Sequence, residues 1–218
     1  MKEKNARYIP ALRYDWLTAI YDPVVRLTTR EAAFKTALLS QAQIQPGQRV
    51  LDLACGTATL TIAIKQAHPQ AAVIGFDGDP AILRQARAKA ERSGADIAFD
   101  EGLSYELPYA DDSFDHVLSS LFFHHLTREN KLRTLAEVRR VLKPGGEFHA
   151  ADWGAPQNVL MKLASQGIVL LDGATTKDNF AGKLPEFIGQ SGFEDVEEVR
   201  HFNSLFGTIR LHKAYKPF

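Results

Sequence analysis

The sequence predicts an α/β protein built on a mainly parallel sheet that is covered by helices on both faces. Short apolar runs without polar alternation recur along the chain, as expected for strands that are buried on both sides. Segments with helical periodicity separate these runs, so that strands and helices alternate. The chain has 218 residues, of which 45% are hydrophobic, and this is enough for one such domain with a full core.

Five strands are predicted before the C-terminal part of the chain. They are Val50–Ala54, Val73–Asp77, Ile97–Phe99, Phe114–Ser120 and Gly146–Asp152. Each run is short and apolar, which favours a strand over a helix.

Two helices between these strands have clear signals. One is predicted to begin at Asp79 and Pro80, because aspartate is favoured as an N-cap and proline in the first turn, and to stop at Gly94. The other is predicted to end at residues 143–146, where a proline and two glycines force a turn. Its apolar stripe consists of Leu132, Leu135, Val138 and Leu142.

The C-terminal part favours an antiparallel hairpin. Val196–Arg200 and Leu205–Leu211 are its predicted strands, with Asn203 and Ser204 as the turn between them. Two segments fall outside the predicted core, namely residues 1–45 and residues 153–191. Both are candidates to cover a binding pocket.

The overall charge excludes a generally basic nucleic-acid-binding or membrane-surface protein, because 26 lysines and arginines balance 26 aspartates and glutamates. Cys55 is the single cysteine, so no intrachain disulfide forms, which suits a reducing compartment. No secretory signal or membrane-spanning run is recognised. We expect a cytoplasmic protein without nucleic-acid or integral membrane contacts; a homodimer is left open.

The loop after the first predicted strand carries the most specific signal. The run Val50–Thr59 (VLDLACGTAT) resembles motif I of class I S-adenosylmethionine-dependent methyltransferases, with Ala54 and Ala58 in place of the first and third glycines. The resemblance implies S-adenosylmethionine as the methyl donor. The methionyl carboxylate would lie at the N-terminus of the next helix, and Asp52 would balance the ammonium or sulfonium charge. The donor-binding residues expected in this loop are Asp52, Ala54, Cys55, Gly56 and Thr57.

Asp77 lies at the end of the second predicted strand, followed by Gly78. An acidic residue there can accept hydrogen bonds from both ribose hydroxyls, so both residues are candidates for cofactor binding. Dinucleotide-binding enzymes use the same geometry. The alternative role of Asp77 is a helix N-cap shared with Asp79.

The stretch from Gly102 to Leu126 is similar to motifs II and III of the type 11 methyltransferases, which include the quinone and sterol methyltransferases. The matching blocks are Leu107-Pro108-Tyr109 and Phe114-Asp115-His116-Val117. Leu103 stands where the family has an aspartate at the adenine. The resemblance therefore implies that adenine is held by backbone groups of Gly102–Ser104 and by the side chain of Leu103.

Matching blocks over residues 46–152 together imply a Rossmann-like, doubly wound seven-stranded methyltransferase fold. The C-terminal antiparallel hairpin closes this sheet. The resemblance divides the chain into an N-terminal helical cap, residues 1–45, and a methyltransferase domain, residues 46–218. Residues 153–191 are the expected acceptor-side helical segment.

The sequence signals for residues that would bind the methyl acceptor are less specific. Ser119 is expected to contact the amino end of the donor through its backbone carbonyl, and Asp152 and Trp153 to form one wall of the acceptor pocket. His124 and His125 follow the fourth strand, where a histidine can take a proton from an acceptor. Packing or capping of the next helix is the alternative for the pair. Adjacent histidines match no zinc-site spacing, so no metal is predicted.

The N-terminal segment around Tyr14, Trp16 and Tyr21 resembles the lid helix of the quinone and sterol methyltransferase group. It implies a small apolar or aromatic acceptor; simple attachment of a helix to the domain is the alternative. Two alternative functions remain. One is a nicotinamide-dependent oxidoreductase, which is disfavoured because Ala54–Thr59 has no G-x-G-x-x-G pattern. The other is a non-catalytic protein that binds S-adenosylmethionine without transferring its methyl group.

Overall fold

The computed structural model describes residues 30–159, 161–162, 173–204 and 207–218. The predicted lid residues Tyr14, Trp16 and Tyr21 lie outside these ranges. The described residues form seven strands: β1 (Arg49–Leu53), β2 (Ala72–Asp77), β3 (Ala98–Glu101), β4 (Phe114–Ser120), β5 (Leu142–Gly154), β6 (Glu194–Ser204) and β7 (Gly207–Tyr215). They form one sheet with the order β3-β2-β1-β4-β5-β7-β6, which confirms the predicted seven-stranded fold.

Helices flank the sheet in the described ranges. They are α1 (Glu31–Ala42), α2 (Thr59–Ala67), α3 (Pro80–Arg92), α4 (Arg128–Val141), α5 (Lys177–Phe180) and α6 (Leu184–Gln190), with 3₁₀ helices at Phe123–His125 and Gly173–Thr176. The predicted start of α3 is confirmed, because the Asp79 carboxylate accepts hydrogen bonds from the backbone amides of Ala81 and Ile82 at 2.7 and 3.3 Å. Gly94 follows the end of α3 with φ +67°.

The strand directions bring the functional loops to one edge. β1 pairs in parallel with β2 and β4, β2 with β3, and β4 with β5. The carboxyl ends of these strands therefore meet along one edge, which is where open α/β sheets bind ligands. β7 pairs antiparallel with both β5 and β6, as predicted for the hairpin.

Two predicted boundaries are wrong. Asn203 and Ser204 do not form the turn but pair with Thr208 and Gly207 in the ladder. Their side chains take part in this pairing, since the Thr208 hydroxyl donates to Asn203 Oδ1 and the Ser204 hydroxyl donates to the Gly207 carbonyl. The hairpin connection therefore begins only after Ser204.

The fifth strand also begins earlier than predicted, directly after α4. β4 pairs with β5 at Phe114 and Leu142, and the register then shifts so that His116 pairs with Glu147. The proline and glycines of residues 143–146 produce this irregularity inside the strand rather than a separate turn. Gly145 takes a left-handed conformation there, with φ +73°.

The central strands β1, β4 and β5 are buried on both faces, as the apolar runs predict, whereas the edge strands β3 and β6 are largely exposed. One cluster lies between the sheet and α4 and α6; it includes Leu51, Phe123, Leu135, Phe148 and Phe187. The other lies under α1; it includes Phe34, Leu38, Leu118, Ile209 and Leu211. Among the described residues, no helix has the length and apolar content needed to cross a bilayer.

Candidate active site

The loop after β1 has an unusual backbone. Ala54, Gly56 and Ala58 all take left-handed conformations, with φ of +58°, +55° and +63°. Glycine adopts this region without cost, whereas an alanine Cβ is crowded there. The two alanines that replace motif glycines have thus kept the glycine conformation. Strained non-glycine backbone of this kind is typical of ligand-binding loops.

Asp77 joins this loop to the one after β2. Its Oδ2 accepts a hydrogen bond from the Gly56 amide at 2.9 Å, and its Oδ1 accepts one from the Asp79 amide at 3.0 Å. Burial raises the pKa of Asp77, although these backbone amides oppose the shift. Each oxygen has a second lone pair, so the carboxylate can still accept hydrogen bonds from two hydroxyls.

Asp52 is buried below the same loop, with 1% of its surface exposed. Its Oδ2 accepts a hydrogen bond from the Thr61 hydroxyl at 2.6 Å, but Oδ1 has no hydrogen-bond partner among the described residues. Burial raises the pKa of Asp52 to about 6. An unpaired carboxylate oxygen in a buried position is unfavourable, and an ammonium group would satisfy it. The residues present therefore fit the charged end of an amino-acid-like ligand.

The remaining predicted residues of these two loops are Cys55, Thr57 and Gly78. Cys55 is buried, and its amide donates to the Phe76 carbonyl at 3.0 Å, which ties the end of β1 to β2. Burial raises the pKa of the Cys55 thiol, so the thiol is protonated and unreactive. Thr57 and Gly78 are half-buried on the two loops.

The loop after β3 lies next to Asp77. The Gly102 amide donates to the Asp77 carbonyl at 3.2 Å, and a Cβ on Gly102 would lie 2.8 Å from the Phe76 ring. Leu103 is half-buried. The Ser104 hydroxyl forms a buried hydrogen bond with the Thr134 hydroxyl of α4 at 2.9 Å. This bond ties the Ser104 side chain to α4, and the contact of its backbone with adenine stays a prediction.

Ser119 lies near the carboxyl end of β4. Its hydroxyl donates to the Leu53 carbonyl at 3.0 Å, and its side chain is buried. Two residues later, Leu121 has φ +54° and its amide donates to the Ala151 carbonyl. The chain thus turns sharply at the end of β4, immediately before the two histidines.

His124 forms a short, buried pair with Asp152, the residue near the end of β5. Its Nδ1 lies 2.7 Å from Asp152 Oδ1. Asp152 also accepts hydrogen bonds from the backbone amides of Phe122, His124 and Trp153. Burial by itself would raise the pKa of Asp152, but the imidazole and the backbone amides hold it below its usual value. An ionised Asp152 keeps the proton of His124 on Nδ1 and leaves Nε2 as an acceptor.

His125 and Lys131 surround this pair. The His125 ring lies against His124 in a tilted arrangement, with centroids 3.9 Å apart and 43° between the ring planes. Burial lowers the pKa of His125 to about 3, so His125 is neutral. Lys131 of α4 is fully buried, and its ammonium donates to the Thr175 carbonyl at 2.8 Å. Burial lowers the pKa of Lys131, while the charge of Asp152 opposes this shift.

Trp153 provides an aromatic wall beside the pair. Its ring meets the His124 ring edge-on at 6.5 Å and stacks on Phe180 of α5 at 6.0 Å. His124 and Trp153 lie at the edge predicted from the sequence, but neither the pairing of His124 with Asp152 nor the buried Lys131 was predicted. The sequence did carry a signal for the pairing, because His124 comes shortly after β4 and Asp152 lies near the end of the neighbouring parallel strand β5. Lys131 belongs to no recognised motif.

A second cluster of titratable groups lies near the amino ends of β4 and β5, away from these loops. His116, Glu147 and His149 place one ligand-type atom each within 4.8 Å of one another. Glu147 Oε2 accepts from His149 Nε2 at 3.0 Å and faces the Lys213 ammonium at 3.2 Å. Lys213 supplies the positive charge that the carboxylate needs, so the cluster is an ion-pair network within the sheet.

Comparison with known proteins gives a consistent result. A family model described as a methyltransferase domain matches residues 50–146. The chain is 36% identical over 210 residues to a demethylmenaquinone methyltransferase of Deinococcus radiodurans, covering 94% of this chain and 83% of that protein. It is 32% identical over 226 residues to a demethylmenaquinone methyltransferase of Thermus thermophilus, covering 95% and 98%.

A solved structure shares the fold at lower identity. It is the phosphoethanolamine N-methyltransferase 2 of Haemonchus contortus, in complex with phosphomonomethylethanolamine and S-adenosylhomocysteine. The TM-score is 0.70 at 17% identity, and the match covers 85% of this chain and 53% of that one.

Proposed function

The chain belongs to the methyltransferase domain family and is an S-adenosylmethionine-dependent methyltransferase, and from this premise we propose that it methylates a ring carbon of a hydroquinone. Two relatives are demethylmenaquinone methyltransferases. Demethylmenaquinone is a naphthoquinone without one ring methyl group, so its methylation forms a carbon–carbon bond. The observation that supports the proposal is the buried pair of His124 and Asp152, in which His124 would act as a base toward the acceptor.

The residues of the first two loops fit the donor in a definite orientation. Asp77 would accept hydrogen bonds from the ribose hydroxyls, and the unpaired Oδ1 of Asp52 would accept one from the methionyl ammonium. The amides at the start of α2 favour the methionyl carboxylate. Backbone groups of Gly102–Ser104 and the side chain of Leu103 would hold the adenine. When bound, S-adenosylmethionine supplies a methyl group on a sulfonium, which is already activated for transfer.

The base is needed because carbon is a weak nucleophile. A ring hydroxyl of the reduced acceptor gives its proton to His124 Nε2, and Asp152 stabilises the imidazolium that forms. The phenolate pushes electron density onto the adjacent ring carbon, which bonds to the methyl group as the carbon–sulfur bond breaks. The ring carbon then loses its proton to the oxygen, and the aromatic hydroquinone is restored. His124 releases the remaining proton to solvent.

This chemistry requires the reduced acceptor, since the ring of a quinone is electron-poor. The neighbouring groups support proton uptake by His124. His125 is neutral, so it adds no repulsion to an imidazolium on His124. The wall formed by Trp153 and Phe180 offers apolar surface to an aromatic ring and helps to exclude water.

The direct test is methyl transfer to 1,4-dihydroxynaphthalene under anaerobic conditions. Wild-type protein with S-adenosylmethionine should produce the ring-methylated hydroquinone and S-adenosylhomocysteine, detected by mass spectrometry. The oxidised 1,4-naphthoquinone serves as the matched control and should give no product. Methylation on oxygen instead of carbon, or donor binding without any product, would contradict the proposal.

A further inference from the structure

A cavity of about 180 Å³ lies between β5, β7 and the helices α5 and α6. Trp153, Leu184 and Pro185 give it apolar walls. Asn179 and His212 contribute polar side chains. Trp153 is shared with the candidate active site, because the same ring meets His124 edge-on.

Four buried polar atoms of this cavity lack hydrogen-bond partners among the described residues. They are both amide atoms of Asn179 and both ring nitrogens of His212. The exposed fractions of these side chains are 0% and 2%. Burying such groups without hydrogen bonds is unfavourable, so their presence in one cavity points to a ligand that supplies the missing partners.

The charged groups of the cavity are already satisfied. Arg210 Nη1 donates to both carboxylate oxygens of Glu198 at 2.6 and 2.5 Å. Arg210 Nε and Nη2 donate to the Ala155 carbonyl at 3.0 and 2.7 Å. The guanidinium is therefore neutralised, and the cavity does not favour an anion.

The unpartnered groups are neutral. Burial lowers the pKa of His212 to about 4, so its imidazole carries no charge at pH 7 and offers one donor and one acceptor. The amide of Asn179 also offers a donor and an acceptor. Together they suit a neutral group that both donates and accepts, such as a hydroxyl.

The backbone keeps this arrangement in place. A Cβ on Gly154 would overlap with Arg210 Cδ, so Arg210 can cross the end of β5 only because this residue is glycine. Gly182, which follows α5, has φ +74°. These two glycines hold the arginine and the helix that form the cavity.

The size of the cavity points to one ring. A dry cavity of about 150 Å³ admits benzene, so a cavity of about 180 Å³ holds one hydroxylated ring. We propose that this cavity is an acceptor subsite that binds a hydroxylated aromatic ring, with the hydroxyl hydrogen-bonded to Asn179 and His212. The inference rests on the proposed function for its link to catalysis, but the binding itself can be tested without turnover.

The test compares phenol with benzene, which differ only in the hydroxyl. Trp153 and Trp16 are the two tryptophans of the chain, so a Trp16→Phe protein has Trp153 as its only tryptophan. We expect phenol to change the Trp153 fluorescence saturably and benzene to bind at least about tenfold more weakly, because only phenol satisfies the polar groups. Excitation at the red edge of indole absorption avoids the absorption of phenol.

Two variants locate the binding, and a third serves as the control. Asn179→Leu and His212→Phe, each in the Trp16→Phe protein, should reduce the preference for phenol over benzene to less than about threefold, since each removes a hydrogen-bond partner. Asn130→Leu, the same chemical change on α4 outside the cavity, should keep the full preference. If the His212→Phe protein does not fold, the Asn179→Leu protein alone tests whether the cavity binds phenol.

The outcomes separate this inference from the proposed function. Equal binding of phenol and benzene, no saturable response to phenol, or an unchanged preference in Asn179→Leu overturns the subsite; the cavity then holds water only. If phenol binds as expected but 1,4-dihydroxynaphthalene is not methylated, the subsite stands and the proposed acceptor is wrong. Methylation without phenol binding leaves the proposed function and removes the subsite.

Discussion

His124 Nδ1 and Asp152 Oδ1 are 2.7 Å apart; His124 lies in the 3₁₀ helix that follows β4, and Asp152 lies near the end of the neighbouring parallel strand β5. Asp152 is held by three further backbone amides. The carboxylate therefore cannot turn away from the imidazole, and this fixes both the tautomer and the orientation of the ring.

Replacing Asp152 by asparagine should slow methyl transfer without weakening donor binding. The amide cannot stabilise an imidazolium, so we expect kcat to fall by roughly 10²-fold or more. The measurement is steady-state transfer to 1,4-dihydroxynaphthalene beside calorimetric titration with S-adenosylmethionine. Asp96→Asn, an exposed control, should match the wild type. A variant of Asp152 with unchanged kcat would exclude His124 as the base.

Asp77→Asn should weaken donor binding instead. One oxygen that accepts a backbone amide hydrogen bond becomes an NH₂ group, and hydrogen bonds to a charged carboxylate are lost. We expect the Kd for S-adenosylmethionine to rise by about 10- to 100-fold, with little change in kcat at saturating donor.

The matched control is Asp79→Ala, two residues further along. It removes the N-cap of α3 and should reduce the free energy of unfolding by about 1 kcal/mol, but it should leave the Kd for the donor within about twofold. Equal losses of affinity in both variants would show that loop stability, and not the Asp77 carboxylate, determines binding.

Ala54→Gly should stabilise the protein. The residue has φ +58°, and the loss of Cβ removes crowding in the left-handed region, so the free energy of unfolding should rise by about 1 kcal/mol. Ala58→Gly should raise the free energy of unfolding by less, because it also removes a methyl group that is fully buried beside Ile62 and Ala86. Urea unfolding of the two variants measures the difference. A lower free energy of unfolding for Ala54→Gly than for the wild type would contradict the strain argument.

Acid should destabilise the fold in a defined range. Burial lowers the pKa of His116 to about 4 and that of His125 to about 3, below the ordinary value of 6.5. The unfolded chain then binds protons that the native state does not. The free energy of unfolding should be highest above pH 6.5 and fall as the pH drops toward 4 and on to 3.

Asp52 acts in the opposite direction, because burial raises its pKa from 3.8 to about 6. The stability that it contributes is present below pH 3.8 and is lost as the pH rises through about 6. The pKa shifts of His116 and His125 together are larger than the pKa shift of Asp52, so acid lowers the free energy of unfolding overall. Urea unfolding between pH 4 and pH 7 should show a smaller slope in His116→Gln than in the wild type; an unchanged slope would exclude this histidine as a contributor.

Local signals were sufficient for much of the fold. Buried parallel strands are recognisable from apolar runs alone, and the strand Phe114–Ser120 has the predicted bounds. The start of α3 was predictable because Asp79 caps backbone amides within three residues. These features depend on neighbours in sequence, which is why they need no knowledge of the tertiary structure.

Features that depend on distant residues were not predictable in the same way. Lys131 is buried because distant groups stabilise its ammonium, namely the carbonyl of Thr175 and the charge of Asp152, whereas a lysine on an amphipathic helix is normally exposed. Asn203 and Ser204 are typical turn residues, but their partners across the hairpin draw them into the ladder. The left-handed conformation of Ala54 cannot be read from an alanine, because the residue type itself disfavours it.

The position of β7 has a consequence for biosynthesis. β7 lies between β5 and β6, although it is the last strand of the seven to leave the ribosome. Until Gly207–Tyr215 emerges, β5 has an unpaired edge and β6 has no neighbour to pair with. The described sheet therefore cannot be completed until β7 has been synthesised, and until then the open edge of β5 is where a misfolding contact or a chaperone would bind.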